Sequence, residues 1–217
     1  NVEFTGGTIN NDDRDRRRHT VGVRLGYEIA PTLEAFVQAA SDNRRYLVPP
    51  PDESGIFPAL ATRDSDGRRY LIGARFSVPN KLRAEAFVGH IEQDYKDGLL
   101  ADVSKPAFGM NVLWAITDST RLTVYADRTV EETTVFRLLP TPGVASSYLN
   151  TYGGVSLEHR IAPAWTAYAN ASFSRSDYQG IEREDDYVGG EIGLAYRMAR
   201  NFIVDASYLY RELNSSI

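Results

Sequence analysis

Val21, Val23, Leu25, Tyr27 and Ile29 alternate with Thr20, Gly22, Arg24, Gly26 and Glu28. A period of two sustained over ten residues describes a strand with one apolar and one polar face. At Ile29-Ala30-Pro31-Thr32-Leu33 the pattern crosses a short polar turn and resumes. The same crossing occurs at Val78-Pro79-Asn80-Lys81-Leu82, at Ile116 to Leu122, at Ile161-Ala162-Pro163-Ala164-Trp165 and at Met198-Ala199-Arg200-Asn201-Phe202. The other strand ends are joined by longer, more polar segments, about residues 10–17, 46–67, 94–104, 135–147 and 178–186. Tight turns on one rim, long loops on the other and alternation between them imply an all-β, antiparallel up-and-down transmembrane β-barrel.

The alternation continues along the chain. Leu33, Ala35, Val37 and Ala39 oppose Glu34, Phe36 and Gln38. Tyr70, Ile72, Ala74, Phe76 and Val78 oppose Leu71, Gly73, Arg75 and Ser77. Leu82, Ala84, Ala86 and Val88 oppose Arg83, Glu85 and Phe87. Phe108 to Ile116 and Leu122 to Ala126 follow the same rule. Leu149, Val155, Leu157 and Ile161 oppose Asn150, Tyr152, Ser156, Glu158 and Arg160. Trp165 to Phe173, Val188 to Met198 and Phe202 to Tyr210 complete the series. Charges are missing from the middles of the apolar faces; Arg128, His159 and Arg175 share that parity only toward strand ends, where the cost of a charge in lipid fades. A soluble sandwich would bury its apolar sets in a shared core, and parity alone does not separate the two. Aromatic placement favours the membrane: Tyr27, Phe76, Trp114, Trp165, Tyr196 and Phe202 all have apolar-face parity within a few residues of a tight turn. That is a belt at one height, as expected at a membrane interface.

Composition removes other classes. The 217 residues suit one domain, read as a single barrel over 1–217. No apolar run is long enough for a membrane-spanning helix, a test to which barrels are blind. Cysteine is absent, which excludes disulfides and thiolate metal sites. Nothing calls for a cofactor, and a net charge of −5 with no basic cluster beyond Arg14 to Arg18 argues against nucleic acid. Counting a weak strand at residues 2–8, eleven strands are predicted. A single-chain barrel has an even number, so the chain is expected to be part of a larger barrel, incomplete at its C-terminus and with its N-terminal end left open.

The polar faces carry the functional candidates: Arg24, Glu28, Glu34, Arg75, Arg83, Glu85, Arg121, Asp127, Glu158, Arg160, Glu191, Arg197, Asp205 and Arg211. Both signs are present. In a narrow barrel they would pair and close the lumen; in a wide one they would line a channel with a transverse field. The loop from Leu47 to Gly67 either folds inward or stays at the surface. Loop carboxylates could bridge divalent cations to lipopolysaccharide, but the spaced-aspartate pattern of a calcium loop is absent. Catalysis is disfavoured: His19, His90 and His159 have neither metal-ligand spacing nor a local nucleophile motif.

The repeated Ile-Ala-Pro turns, Gly153 to Ile161 (Gly-Gly-Val-Ser-Leu-Glu-His-Arg-Ile) and Tyr208 to Leu213 (Tyr-Leu-Tyr-Arg-Glu-Leu) resemble the outer-membrane β-barrel porins found beside exopolysaccharide and capsule genes in Gram-negative bacteria. The resemblance runs from Tyr27 over most of the chain and supplies no catalytic residues. It implies an outer-membrane barrel that is a pore or export-associated channel for small solutes or polysaccharide. The alternative is a non-conducting anchoring or adhesive barrel acting through its loops. The partners expected are outer-membrane lipid and lipopolysaccharide, with polysaccharide or an export or assembly complex as further candidates.

Overall fold

In the computed structural model, residues 15–47, 62–133, 136–137 and 143–216 are described. Ten long strands form one sheet: β1 (Arg16–Ala30), β2 (Leu33–Tyr46), β3 (Ser65–Val78), β4 (Leu82–Tyr95), β5 (Val103–Thr117), β6 (Thr120–Glu132), β9 (Ser147–Ala162), β10 (Trp165–Gln179), β11 (Glu184–Ala199) and β12 (Phe202–Ser216). Two short strands, β7 (Phe136–Arg137) and β8 (Gly143–Val144), pair with each other between β6 and β9. The large sheet runs β1 to β6 and then β9 to β12 in spatial order, each strand antiparallel to its neighbours. This is an up-and-down barrel wall. β1 and β12 are not paired with each other among the described residues. The predicted strand at residues 2–8 and most of the loop from Leu47 to Gly67 lie outside the described residues.

The five tight turns fall where the sequence puts them. In the β3–β4 turn, Asn80 has φ 58°, a left-handed conformation that asparagine tolerates better than most residues.

The strands are sheared as a barrel requires. One row of paired residues runs from Tyr27 in β1 through Ala35, Ala74, Ala86, Met110, Ala126, Gly153 and Phe173 to Val188 in β11. Tyr27 stands three residues before the end of β1 at Ala30, and Val188 eleven before the end of β11 at Ala199. The row therefore climbs eight residues over eight strand steps. One residue of about 3.3 Å for each strand spacing of about 4.8 Å gives a tilt of roughly 35°, within the range of membrane barrels.

Curvature shows in contacts that a flat sheet forbids. Arg24 of β1 donates to Glu85 of β4 at 3.0 Å, although three strand spacings would separate them by about 14 Å. Arg44 of β2 donates to Glu132 of β6 at 3.0 Å, across a flat distance of about 19 Å. The sheet curls so that its polar face is concave. The apolar face looks outward: Ile72 and Val88 are each 60% exposed and Ile192 62%. Side chains this apolar and this exposed, in unbroken rows, suit acyl chains and not water. A soluble sandwich, with its apolar sets buried together, is not what the chain forms.

The inner face is packed by rings over glycines. Phe36 lies beside Gly73 and Phe87 beside Gly109 on neighbouring strands. A Cβ on Gly73 would stand 2.5 Å from the Phe36 ring, and one on Gly109 would stand 2.3 Å from the Phe87 ring. Tyr125 over Gly154 and Tyr168 over Gly193 repeat the arrangement. The missing side chain makes room for a ring that covers the partner strand, a recurrent way to pin register in curved sheets.

At the long-connection rim the wall folds over itself. The β5–β6 ladder ends at Gly109 and Asp127. Beyond it, β5 stays with β4 down to Val103, while β6 continues with β9 alone to Glu132 and Ser147. Val130 and Leu149 have outward parity, yet they pack against Val103 and Ile91, which face inward. The outer face of the β6–β9 ends thus lies on the inner wall of β4 and β5. This corrects one expectation: Leu149, placed on the lipid face by parity, is 5% exposed in a protein interior. The physical reason is local: where β6 lets go of β5, a face that would have met lipid finds apolar side chains of the same barrel.

Candidate functional site

The candidate site is the concave interior, which has three levels. In the middle, the curl gathers four predicted residues from four strands. Glu85 accepts from Arg24 at 3.0 and 3.2 Å and from Arg75 at 2.9 Å. Glu34 stands 3.5 Å from Arg75 and 3.6 Å from Arg24. Two guanidiniums and two carboxylates compensate each other, and the fork of Arg24 on Glu85 is bidentate. Arg24 also lies 3.4 Å from the centroid of the Phe36 ring, a cation–π contact that fixes its direction.

Beside this network a cavity of about 860 Å³ opens, lined by Arg75, Ser77, Arg83, Glu85, Phe87, Asn111, Tyr125, Asp127 and Tyr152 among others. Asp127 is held by Arg69 at 3.3 Å. Arg83 forms no ion pair among the described residues and faces the cavity with its charge uncompensated.

At the tight-turn end, a second cavity of about 530 Å³ collects Arg121, Glu158, Arg160 and Arg197. Arg121 and Glu158 approach to 3.7 Å. Arg160 donates to the backbone carbonyl of Asp118 at 2.9 Å, which satisfies a donor without cancelling its charge. Among the other predicted residues, Glu191 accepts from Asn170 at 3.2 Å and Asp205 from the Tyr168 hydroxyl at 2.8 Å. Glu28 and Arg211 sit exposed on the edge strands β1 and β12. The structure therefore unites Arg24, Glu34, Arg75 and Glu85 in one set and Arg121, Glu158, Arg160 and Arg197 in another, and leaves Glu28 and Arg211 apart.

The third level, at the long-connection rim, lies outside the residues that parity in the strand middles singles out. Arg44 contacts both Asp42 at 3.2 Å and Glu132 at 3.0 Å. Glu132 also meets Arg16 at 2.5 Å and accepts from the Tyr46 hydroxyl. Arg63 donates to the carbonyls of Thr133 and Ala145, joining the ends of β6 and β9. Extending the β2 alternation past Gln38 to Asp42, Arg44 and Tyr46, and the β3 alternation back from Leu71 to Arg69, would have found these inner residues. Nothing in the parity of Glu132 announces its place, because it depends on the fold-over. In the β10–β11 connection, Arg183 grips Asp185 through two nitrogens at 2.8 and 3.1 Å, and this hydrogen bonding raises its pKa.

The aromatic set lies on the outer face. Tyr27, Phe76, Trp114, Trp165 and Phe202 are exposed, and Trp165 stacks on Tyr196 with ring centroids 4.4 Å apart. His90 Nε2 lies 3.0 Å from Ser104 Oγ and 3.6 Å from Glu92. Both partners approach the same nitrogen, so the ring is not placed to relay a proton between them. His159 Nδ1 lies 2.8 Å from Thr120 Oγ1 on the outer face. No group of three or more metal-ligating side chains is arranged to hold an ion among the described residues.

No curated protein matches the chain. Among solved structures, the fold is similar to one described as "Copper transporter OprC", with TM-score 0.52 and 14% identity, covering 91% of this chain and 38% of that one. A Pseudomonas aeruginosa FadL homologue aligns with 92% of this chain and 61% of its own length at 13% identity, with TM-score 0.39. The chain thus spans less than two fifths of the OprC structure, and the likeness is one of fold. The family model described as "Putative beta-barrel porin 2" matches residues 1–217, and the chain belongs to that β-barrel porin family.

Proposed function

We propose that this protein is a non-catalytic pore or export-associated channel in the outer membrane of a Gram-negative bacterium. It conducts small solutes or polysaccharide, with selectivity set by arginine and carboxylate on its inner wall. The observation that carries the reading is the 860 Å³ cavity inside the curl, walled by Arg75, Arg83, Glu85, Asn111 and Asp127, while the apolar rows face out. Opposed charges around a water-accessible space select ions by sign and size. Membership of the porin family supports the same reading.

Conductance in planar bilayers is the test. Steady steps whose ion selectivity moves toward cations in Arg75→Glu and Arg121→Glu support the pore; a silent membrane with folded protein removes it. One observation favours a second reading, a non-conducting anchoring or adhesive barrel. The long-connection mouth is packed, with Val103 and Ser147 at 1% and 0% exposure. In that case the loops would make the contacts, with lipopolysaccharide, polysaccharide or an export complex as candidate partners. The outer face meets lipid in either case.

A further inference from the structure

We infer that the 860 Å³ cavity is a binding subsite for sugar acids, taking a carboxylate on Arg83 and the hydroxyls of the sugar on Asn111, Tyr125 and Tyr152. This names a solute class for the pore reading and rests on that reading for access. The charges of the wall come first. Glu85 is held by Arg24 and Arg75, Glu34 stands within reach of the same two, and Asp127 is held by Arg69. Each of these carboxylates thus has an arginine, and Arg83 is the cation left over around this cavity among the described residues. One positive charge without a counter-charge, on a low-dielectric wall, attracts one negative charge. A guanidinium matches a carboxylate in shape, through two parallel hydrogen bonds. A dianion such as phosphate would bring a second charge toward Glu85 and Asp127, with no second cation free to meet it.

The neutral groups beside Arg83 say what else the ligand carries. Asn111, Tyr125 and Tyr152 line the same cavity, and their amide and hydroxyls make no hydrogen bond to another described residue. Polar groups left uncommitted in a cavity are available to the hydroxyls of a ligand. Register sets their spacing. Arg83 is paired with Leu113 of β5, and Asn111 lies two residues along that strand. Such diagonal neighbours stand about 7–8 Å apart, a span that a sugar ring with its carboxylate bridges. Tyr125 is directly opposite Asn111 on β6, and Tyr152 is opposite Asp127 on β9. The two tyrosine rings lie 6.3 Å apart between centroids with their planes at 54°. They make an angled aromatic wall against which the C–H face of a sugar packs. Tyr125 sits over Gly154, where an added Cβ would stand 2.7 Å from its hydroxyl, so the close approach of strand and ring is built into the wall. The cavity also falls in the usual range for ligand sites, about 300–1,000 Å³.

The test is calorimetric titration of the folded chain in detergent micelles with sodium glucuronate, glucose, acetate and inorganic phosphate. Arg83→Gln and Asn111→Ala are titrated beside it, and heat-modifiable gel migration reports folding. Arg83 has no ion pair to lose, and Asn111→Ala is a second probe of the same site. Glucuronate is expected to bind saturably and about tenfold or more tighter than glucose or acetate, as a charge-assisted pair added to neutral hydrogen bonds requires. Arg83→Gln should bring glucuronate down to the level of glucose, and Asn111→Ala should weaken both sugars and leave acetate unchanged. Glucuronate no tighter than acetate or glucose, or an affinity that Arg83→Gln leaves unchanged, overturns the subsite. Phosphate binding tighter than glucuronate overturns the sugar-acid class. Planar-bilayer conductance, read with and without glucuronate, separates this proposal from the pore reading. A conducting chain that binds no glucuronate overturns the subsite and leaves the pore standing. A silent chain that binds it through Arg83 keeps the subsite and removes the pore.

Discussion

At the long-connection rim, Arg44 and Glu132 are bonded at 3.0 Å with 6% and 5% of their side chains exposed. At the tight-turn rim, Arg121 and Glu158 face each other at 3.7 Å with 73% and 53% exposed. The residue types are the same and both pairs join different strands. What differs is the water around them. The fold-over of β6 and β9 dehydrates the first pair, so its charges must find each other or be lost to solvation. The second pair keeps its solvent and needs no partner, which leaves Arg160 and Arg197 free to present their charge to the lumen. An exposed pair contributes at most about 1 kcal/mol, whereas removing one member of a buried pair costs about 3–5 kcal/mol. Packing thus divides one charged wall into a structural end and an open end.

Arg44→Met puts the sharpest strain on that division. It strands Glu132 in the packed mouth, and a loss of about 3–5 kcal/mol is expected in urea unfolding from lipid vesicles; a loss near that of an exposed pair would make the two ends equivalent. Ile72→Arg, on the outer face at mid-strand, is next, with an expected cost of about 2–4 kcal/mol in the same assay. A neutral result there would mean that the apolar rows do not touch lipid. Gly109→Val forces a branched side chain against the Phe87 ring beside the central cavity, for about 1–3 kcal/mol. Loss of the Trp165 stack on Tyr196 in Trp165→Ala should cost about 0.5–1.5 kcal/mol beyond the change in buried area, separable by a double-mutant cycle with Tyr196→Leu. Arg197→Glu, at the open end, comes last: stability should stay within about 0.5 kcal/mol, while reversal potentials in salt gradients shift toward cation selectivity.

Much of this architecture was legible in the chain. The tight turns, the alternation and the aromatic belt near the turns are local patterns, and the strands followed them closely, β1 to Ala30 and β2 from Leu33. Inward parity marks Arg24, Glu34, Arg75 and Glu85 one by one, each on its own strand. It did not say that they meet, because that needs the curl. Arg69, which holds Asp127, and Arg44, which holds Glu132, lie toward the long-connection ends of β3 and β2, beyond the strand middles where the alternation is clearest. The small β7–β8 pair inside the predicted 135–147 loop was not anticipated, its strands being only two residues each.

Alternation decided by itself that every long segment has a lipid-compatible side and a polar side, since side chains on an extended backbone can only point two ways. Shear, curl and the parting of β6 from β5 belong to the tertiary structure. They arise from how hydrogen-bonded neighbours are offset and how far the sheet bends, quantities spread over many strands and written in none. Glu132 shows the consequence: its own strand assigns it to the outside, and only the overlap of the wall brings it to Arg16 and Arg44 within.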